Sequence, residues 1–154
     1  MLKVYVLIGV PGSGKSTWVN NQTLVEEYTY VSTDFWVEQF AKAANTSYTE
    51  IFEKVMPDAI EQMLEQVRLS RNYNSNIVWD QTSTTIASRK KKFKMLPYYE
   101  HIAVVFPTPD RAELDRRLAN RPGKVVPVEV VDSMIAGFQM PTLAEGYSQI
   151  IIVK

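Results

Sequence analysis

The sequence predicts an α/β fold with a five-stranded parallel sheet covered by helices on both faces, a three-layer architecture. Three observations predict it. Short apolar runs recur along the chain, helical patterns separate them, and the first run ends in a glycine-rich loop that opens a helix. Strands joined through helices run parallel, and such crossovers wind right-handedly.

Taken in order, "KVYVLI" (3–8) is the first strand, apolar without alternation and therefore buried on both faces. A helical stretch over 15–27 follows the glycine loop. "YTYVS" (28–32) is the second strand, and a helix over 34–44 follows at Asp34. Pro57 fits the first turn of a third helix, whose Ile60, Met63, Leu64 and Val67 recur at helical spacing. "NIVWD" (76–80) is the third strand. The helix after it, about 86–96, turns Ile86, Phe93 and Leu96 inward and fans its lysines outward. "HIAVVF" (101–106) is the fourth strand, and Leu114 and Leu118 mark a helix over 110–120. Pro127 opens the last helix, with Val131, Met134, Ile135 and Phe138 on one face, before the final strand "SQIIIV" (148–153).

A chain of 154 residues fits one domain, 1–154. Lys+Arg and Asp+Glu balance at 17 each, so no global field selects a polyanion, and such a partner needs a local patch. The absence of cysteine excludes disulfide frameworks, thiolate nucleophiles and cysteine-ligated zinc. No apolar run reaches membrane-spanning length, so no membrane partner is expected. The opening "MLKVYVLIGVPG" is too short for a signal peptide and runs straight into the glycine loop, which makes the cytoplasm the expected location.

"GVPGSGKS" (9–16) matches the pattern G-x-x-x-x-G-K-[ST] through Gly9, Gly14, Lys15 and Ser16. Each element has a chemical reason. Glycines allow backbone conformations and close approaches that a Cβ blocks. The loop's N–H groups and the helix N-terminus then point at phosphate oxygens. Lys15 supplies charge to the β- and γ-phosphates, and the Ser16 hydroxyl is placed to ligate Mg²⁺. Gly9, Gly12, Ser13, Gly14, Lys15, Ser16 and Thr17 are the expected contacts to ATP.

Parallel sheets bind ligands at the carboxyl ends of their strands, so the residues just after 8, 32, 80 and 106 should converge. Asp34, in "VSTDFW", is placed to accept a proton from an attacking hydroxyl. Its alternative use is a helix N-cap, a place that Thr33 or Ser32 can also fill. Asp80 ends an apolar strand on a carboxylate, the usual place for an acid near Mg²⁺, and "DQTSTT" offers other caps for the next helix. In "DRRLANRPGKVVP" (115–127) Arg117 and Arg121 share a helix face before a Pro122-Gly123 turn. The region 117–127 reads either as a lid over ATP or as a solvated helix end whose arginines complement the dipole. "SRKKKFKM" (88–95) is either a solvated face or a nucleic-acid contact. His101 lacks metal-site partners and reads as structural; Trp18 and Trp79 read as core, and Trp36 as core or as a stacking platform for a nucleobase. The "MPTLAEGY" stretch (140–147) is a candidate wall for adenine.

With these residues in view, the sequence resembles the 5′-kinase domain of bacteriophage polynucleotide kinases over most of its length. The likeness rests on "GVPGSGKSTW", an aspartate after the second strand, a strand end of D-x-T type, and "NRPGKVVPVEVVDSM" as lid and following helix. It implies a P-loop kinase fold of adenylate-kinase type. It further implies that Lys15 and Ser16 bind the ATP phosphates and Mg²⁺, that Asp34 is the general base for a 5′-hydroxyl, that Arg121 clamps the transferring phosphate, and that Asp80 sits in the acceptor site. Two positions depart from the family pattern, both on the acceptor side. Val37, beside Trp36, stands where the family has arginine, and Gln81 stands where it has threonine, with Thr82 following.

The expected function is an ATP-dependent kinase acting on a hydroxyl, the 5′-OH of a polynucleotide, with Asp34, Trp36, Asp80 and Gln81 on the acceptor side and Lys15 and Arg121 on the donor side. Within the same chemistry the acceptor is alternatively a hydroxymethylated base, a nucleoside or a small alcohol. A different class is an NTP-binding switch module, which predicts little transfer to any hydroxyl and partner binding that responds to the nucleotide.

Overall fold

A computed structural model describes residues 1–21 and 27–154. Five parallel strands form one sheet: β1 (Lys3–Ile8), β2 (Tyr28–Val31), β3 (Asn76–Asp80), β4 (Glu100–Val105) and β5 (Gln149–Ile152), in the spatial order β2-β3-β1-β4-β5. The helices are α1 (Lys15–Asn21), α2 (Thr33–Ala43), α3 (Tyr48–Asn72), α4 (Ile86–Met95), α5 (Arg111–Ala119) and α6 (Val128–Ala136). The expected helix over 15–27 is described as far as Asn21; residues 22–26 lie outside the described residues. Among the described residues no helix is long and apolar enough to cross a membrane.

The three central strands are buried on both faces, as their uninterrupted apolar runs require. One face of β1 (Val4, Val6, Ile8) joins Met63 and Val67 of α3, Leu96 after α4, and Tyr147. The other face (Leu7, with Val78, Val104 and Phe106) is covered by Trp18 and Val19 of α1. Trp18 meets Phe106 edge-on at 6.0 Å, and Trp79 is 1 % exposed, so both expected core tryptophans pack into the sheet's layers. Val131, Met134, Ile135 and Phe138 pack with Leu114, Leu118 and Val10, as their spacing predicts.

The chain leaves β1 across one face towards β2 and leaves β3 across the other towards β4, so adjacent strand ends diverge between β1 and β3. That divergence opens the crevice where α/β sheets hold ligands. In-register pairing of Leu7 with Asp80 puts the glycine loop and the β3 carboxylate side by side, and the Gly9 N–H donates to the Thr82 carbonyl at 3.0 Å.

Two sequence expectations are corrected. Pro57 does not open a helix: it lies inside α3, which starts at Tyr48 under a Ser47 N-cap. Proline is tolerated there because it and the exposed Glu53, whose carbonyl loses its helical donor, both lie on the solvent side. The buried stripe of α3 begins earlier, at Ile51, Val55 and Ala59, which pack against Val37 and Ala41 of α2, while Ile60 and Leu64 lie on its more exposed side. In α4, Ile86 faces solvent, and two basic residues point inward. Arg89 is fully buried, donating from Nε and Nη2 to Glu145 at 2.9 and 3.2 Å and from Nη1 to the Ser83 carbonyl at 2.9 Å. Lys92 is 5 % exposed with Nζ 5.0 Å from the Trp79 ring centroid. Lys90, Lys91 and Lys94 are the outward members of the run.

Candidate active site

The glycine loop spans β1 to α1. Gly12 and Gly14 hold φ of +83° and +104°, a region that favours glycine. Among the described residues, a side chain at Gly14 would meet only Arg117 Nη1, at 3.8 Å. At Gly9 a Cβ would lie 2.4 Å from Ser13 Oγ and 2.9 Å from Phe106 Cβ, which excludes any larger residue. Ser13 is buried, with a hydroxyl that has no partner among the described residues, and Ser16 and Thr17 open to solvent on the first turn of α1.

Lys15 folds over the loop, donating from Nζ to the Gly9 and Val10 carbonyls at 2.8 and 3.0 Å. Burial pulls its pKa down to about 8, against the opposing charges of Asp80 and Asp34 and with further lowering from Arg121 and Lys124. These four charges therefore share one cleft with the lysine, although they come from three segments of the chain: β3, α2 and the stretch between α5 and α6.

Ser32 caps α2, its Oγ accepting from the Phe35 N–H at 3.3 Å, so Asp34 is released from capping. Asp34 instead accepts from the Tyr48 hydroxyl at 2.7 Å and from Lys124 Nζ at 3.0 Å. Burial raises its pKa, but Lys124, Tyr48 and Arg121 together outweigh that effect and hold the carboxyl below its ordinary range. Asp80 is likewise free of capping, because Thr85 caps α4 with Oγ1 accepting from the Ser88 N–H at 3.2 Å. Asp80 accepts from the Tyr30 hydroxyl; burial pushes its pKa up, against the lowering effects of Tyr30 and Lys15.

Arg117 reaches the glycine loop, donating from Nη1 to the Gly12 carbonyl at 3.2 Å while Nε bonds Glu113 at 2.8 Å. Arg121 lies beyond the end of α5 and contributes charge to both Lys15 and Asp34; its Nη1 is buried without a partner among the described residues. In the 117–127 region Arg121 and Lys124 are half-buried beside Lys15 and Asp34, whereas Asn120, Pro122, Gly123, Val125 and Pro127 are exposed.

Gln81 donates to Thr33 Oγ1 at 3.4 Å and accepts from Trp79 Nε1 at 3.0 Å. Trp36 donates from Nε1 to Gln66 at 3.0 Å and packs between the two core clusters that α3 joins. Both side chains are thus bonded inside the fold. In the 140–147 stretch Glu145 is taken by Arg89, and Tyr147 packs on Phe93 at 4.8 Å, so those two side chains brace α4. His101 is structural: Nε2 bonds the Leu96 carbonyl at 2.8 Å and the ring stacks on Phe93 at 4.3 Å.

Three further residues join the site without a motif of their own. Lys124 lies within the lid stretch but carries no signature. Tyr48 begins a helix whose start signal is "SYTE", with Ser47 accepting from the Glu50 N–H. Tyr30 is indistinguishable from any strand tyrosine until β2 is paired with β3.

The sequence matches the AAA domain family over residues 4–141. The bifunctional polynucleotide phosphatase/kinase of Schizosaccharomyces pombe is 26 % identical over 153 residues, an alignment covering 96 % of this chain and 32 % of that protein. The chain thus spans about a third of the length of that curated relative. Among solved structures, a chain of the Pnkp1/Rnl/Hen1 RNA repair complex has a TM-score of 0.66 at 22 % identity, covering 88 % of this chain and 43 % of that one. A putative kinase from Chloroflexus aurantiacus has a TM-score of 0.68 at 14 % identity, covering 99 % and 87 %. The fold is that of P-loop kinases.

Proposed function

The chain belongs to the AAA domain family, and on that premise we propose that it is an ATP-dependent kinase whose acceptor is the 5′-hydroxyl of a polynucleotide. The observation that carries the kinase reading is the position of Asp34. Freed from capping by Ser32, it projects into the electrostatic field of the phosphate-loop lysine, Lys15. A switch that only binds nucleotide has no use for an ionised carboxylate held there by two dedicated donors.

In this mechanism the loop N–H groups from Gly12 to Thr17 and the head of α1 bind the ATP phosphates. Lys15 exchanges its loop carbonyls for phosphate oxygens, and Arg117 and Arg121 close from the α5 side. Asp34 accepts the proton of the acceptor hydroxyl as its oxygen bonds the γ-phosphorus. The bond from that phosphorus to the β–γ bridging oxygen breaks, and ADP leaves with the electron pair. Asp80, carrying the Tyr30 hydrogen bond, marks the wall where acceptor and donor meet.

Among the described residues no group of three or more histidine, aspartate or glutamate side chains forms a metal cage. The donors present, the open Ser16 hydroxyl with Asp80 across the loop, suit Mg²⁺, which takes one or two protein oxygens and completes its shell with substrate phosphates and water. Held there, Mg²⁺ would neutralise charge on the β- and γ-phosphates.

For the acceptor, support comes from the polynucleotide phosphatase/kinase of S. pombe and from the RNA repair complex, each by its own name. The outward lysines Lys90, Lys91 and Lys94 lie on the helix that follows Asp80. Incubation with Mg·ATP and a panel of 5′-OH oligonucleotides, hydroxymethyl-base DNA, nucleosides and sugars, read by mass spectrometry, tests it. Phosphate on the oligonucleotide 5′ end is the expected result; efficient labelling of a small molecule with none on any polynucleotide overturns the acceptor.

A further inference from the structure

We propose that Lys124 is a positioning residue for Asp34, which ties the geometry of the proposed base to the docking of the 120–127 segment on α3. The inference rests on Asp34 acting in the transfer step. Lys124 Nζ lies 3.0 Å from Asp34 Oδ2 and 3.7 Å from Glu38 Oε1, and 4.4 Å from the Tyr48 ring centroid. Its side chain is only 11 % exposed, whereas that of Asp34 is 50 % exposed. A lysine on a surface turn ordinarily extends its ammonium into water. This one is laid across an aromatic face and aimed at the open carboxylate.

The backbone fixes that aim. The Thr49 N–H and Oγ1–H both donate to the Gly123 carbonyl at 3.1 Å, and the Val125 N–H donates to Thr49 Oγ1 at 2.8 Å. These bonds bracket Lys124 and moor the segment to the first turn of α3. Tyr48, on the same turn, holds the other carboxylate oxygen, Oδ1, at 2.7 Å. Each oxygen of Asp34 therefore keeps one lone pair, directed by its donor, for an incoming hydroxyl. Undocking the segment takes away one donor and the nearest positive charge together.

Every charged or titratable group facing Asp34 enters the balance. Tyr48 comes from α3, Lys124 and Arg121 from the docked segment, and Glu38 from the next turn of α2. Lys15, Asp80 and Tyr30 face it across the cleft. Of these, Lys124 is the strongest influence holding the carboxyl ionised.

The test is a titration of the Asp34 carboxyl carbon by NMR in wild-type protein, Lys124→Met and Lys124→Arg, paired with the pH profile of kcat. Lys124→Met is expected to raise the midpoint by about one pH unit, the low end for losing an opposite charge at a half-exposed site. The acid limb of kcat should move the same way with KM for ATP unchanged, and Lys124→Arg should restore both. An unmoved midpoint, or a fixed acid limb with only the acceptor KM raised, overturns the proposal. If Asp34→Asn is inactive while Lys124→Met leaves midpoint and limb in place, only the role of Lys124 fails. If Asp34→Asn turns over normally, the underlying reading of Asp34 fails, and the inference falls with it.

Discussion

Asp34 and Asp80 face one cleft, and their surroundings drive their acidities apart: Lys124 and Tyr48 hold Asp34 down, while burial lifts Asp80 beside Tyr30.

The divergence has a stability consequence with a definite sign. Asp80 holds its proton more tightly in the folded protein than in the unfolded chain, so stability is lost as pH rises from the ordinary carboxylate range through the raised pKa. Asp80→Asn removes that cost. The variant should melt higher than wild type at pH 7, and the gain should vanish below about pH 4, where both forms are neutral. Thermal melts across this range check it, and the absence of a gain at pH 7 contradicts it.

Lys15, pulled down to about 8 by burial, must be protonated to hold phosphate. Nucleotide binding restores the charge, so ATP affinity should weaken above pH 8 by up to about tenfold per pH unit. Calorimetry in buffers of different ionisation enthalpy should show proton uptake near pH 8.5. Affinity that stays flat from pH 7 to 9.5 excludes this coupling.

Glu145→Ala leaves the guanidinium of Arg89 buried without its counter-ion. A loss of about 3–5 kcal/mol in urea unfolding is expected, and the paired change Arg89→Met with Glu145→Leu should cost much less. Equal costs for the single and paired changes would contradict the assignment.

The parts legible in sequence are those fixed by local chemistry. The strands announce themselves through unbroken apolar runs, the phosphate loop through glycine spacing, and Asp34 through the neighbouring Ser32 that caps in its place. What stays hidden depends on partners distant in the chain. Arg89 looks like one more outward cation until Glu145, 56 residues on, is folded against it. Lys124 meets Asp34 across 90 residues. Pro57 misleads for another reason: proline favours helix starts, but a solvent-facing proline survives inside α3 because packing of Val55 and Ala59 against α2 holds the helix on either side.

With Arg89 and Lys92 turned inward, a polyanion docked on α4 meets Lys90, Lys91 and Lys94. Replacing all three with glutamine should weaken oligonucleotide binding and lower the slope of log affinity against log salt by about 0.7–0.9 for each phosphate no longer neutralised. Fluorescence anisotropy from about 50 to about 300 mM salt measures it. An unchanged slope assigns that face to solvent.

The most direct measurement of the central claim compares Asp34→Asn with wild type in ATP binding and in single-turnover phosphoryl transfer to a 5′-OH oligonucleotide. Losing a general base typically costs about 10²–10⁴-fold. Transfer is expected to fall by about that factor, with the ATP dissociation constant within roughly twofold of wild type. Wild-type transfer by Asp34→Asn would contradict it.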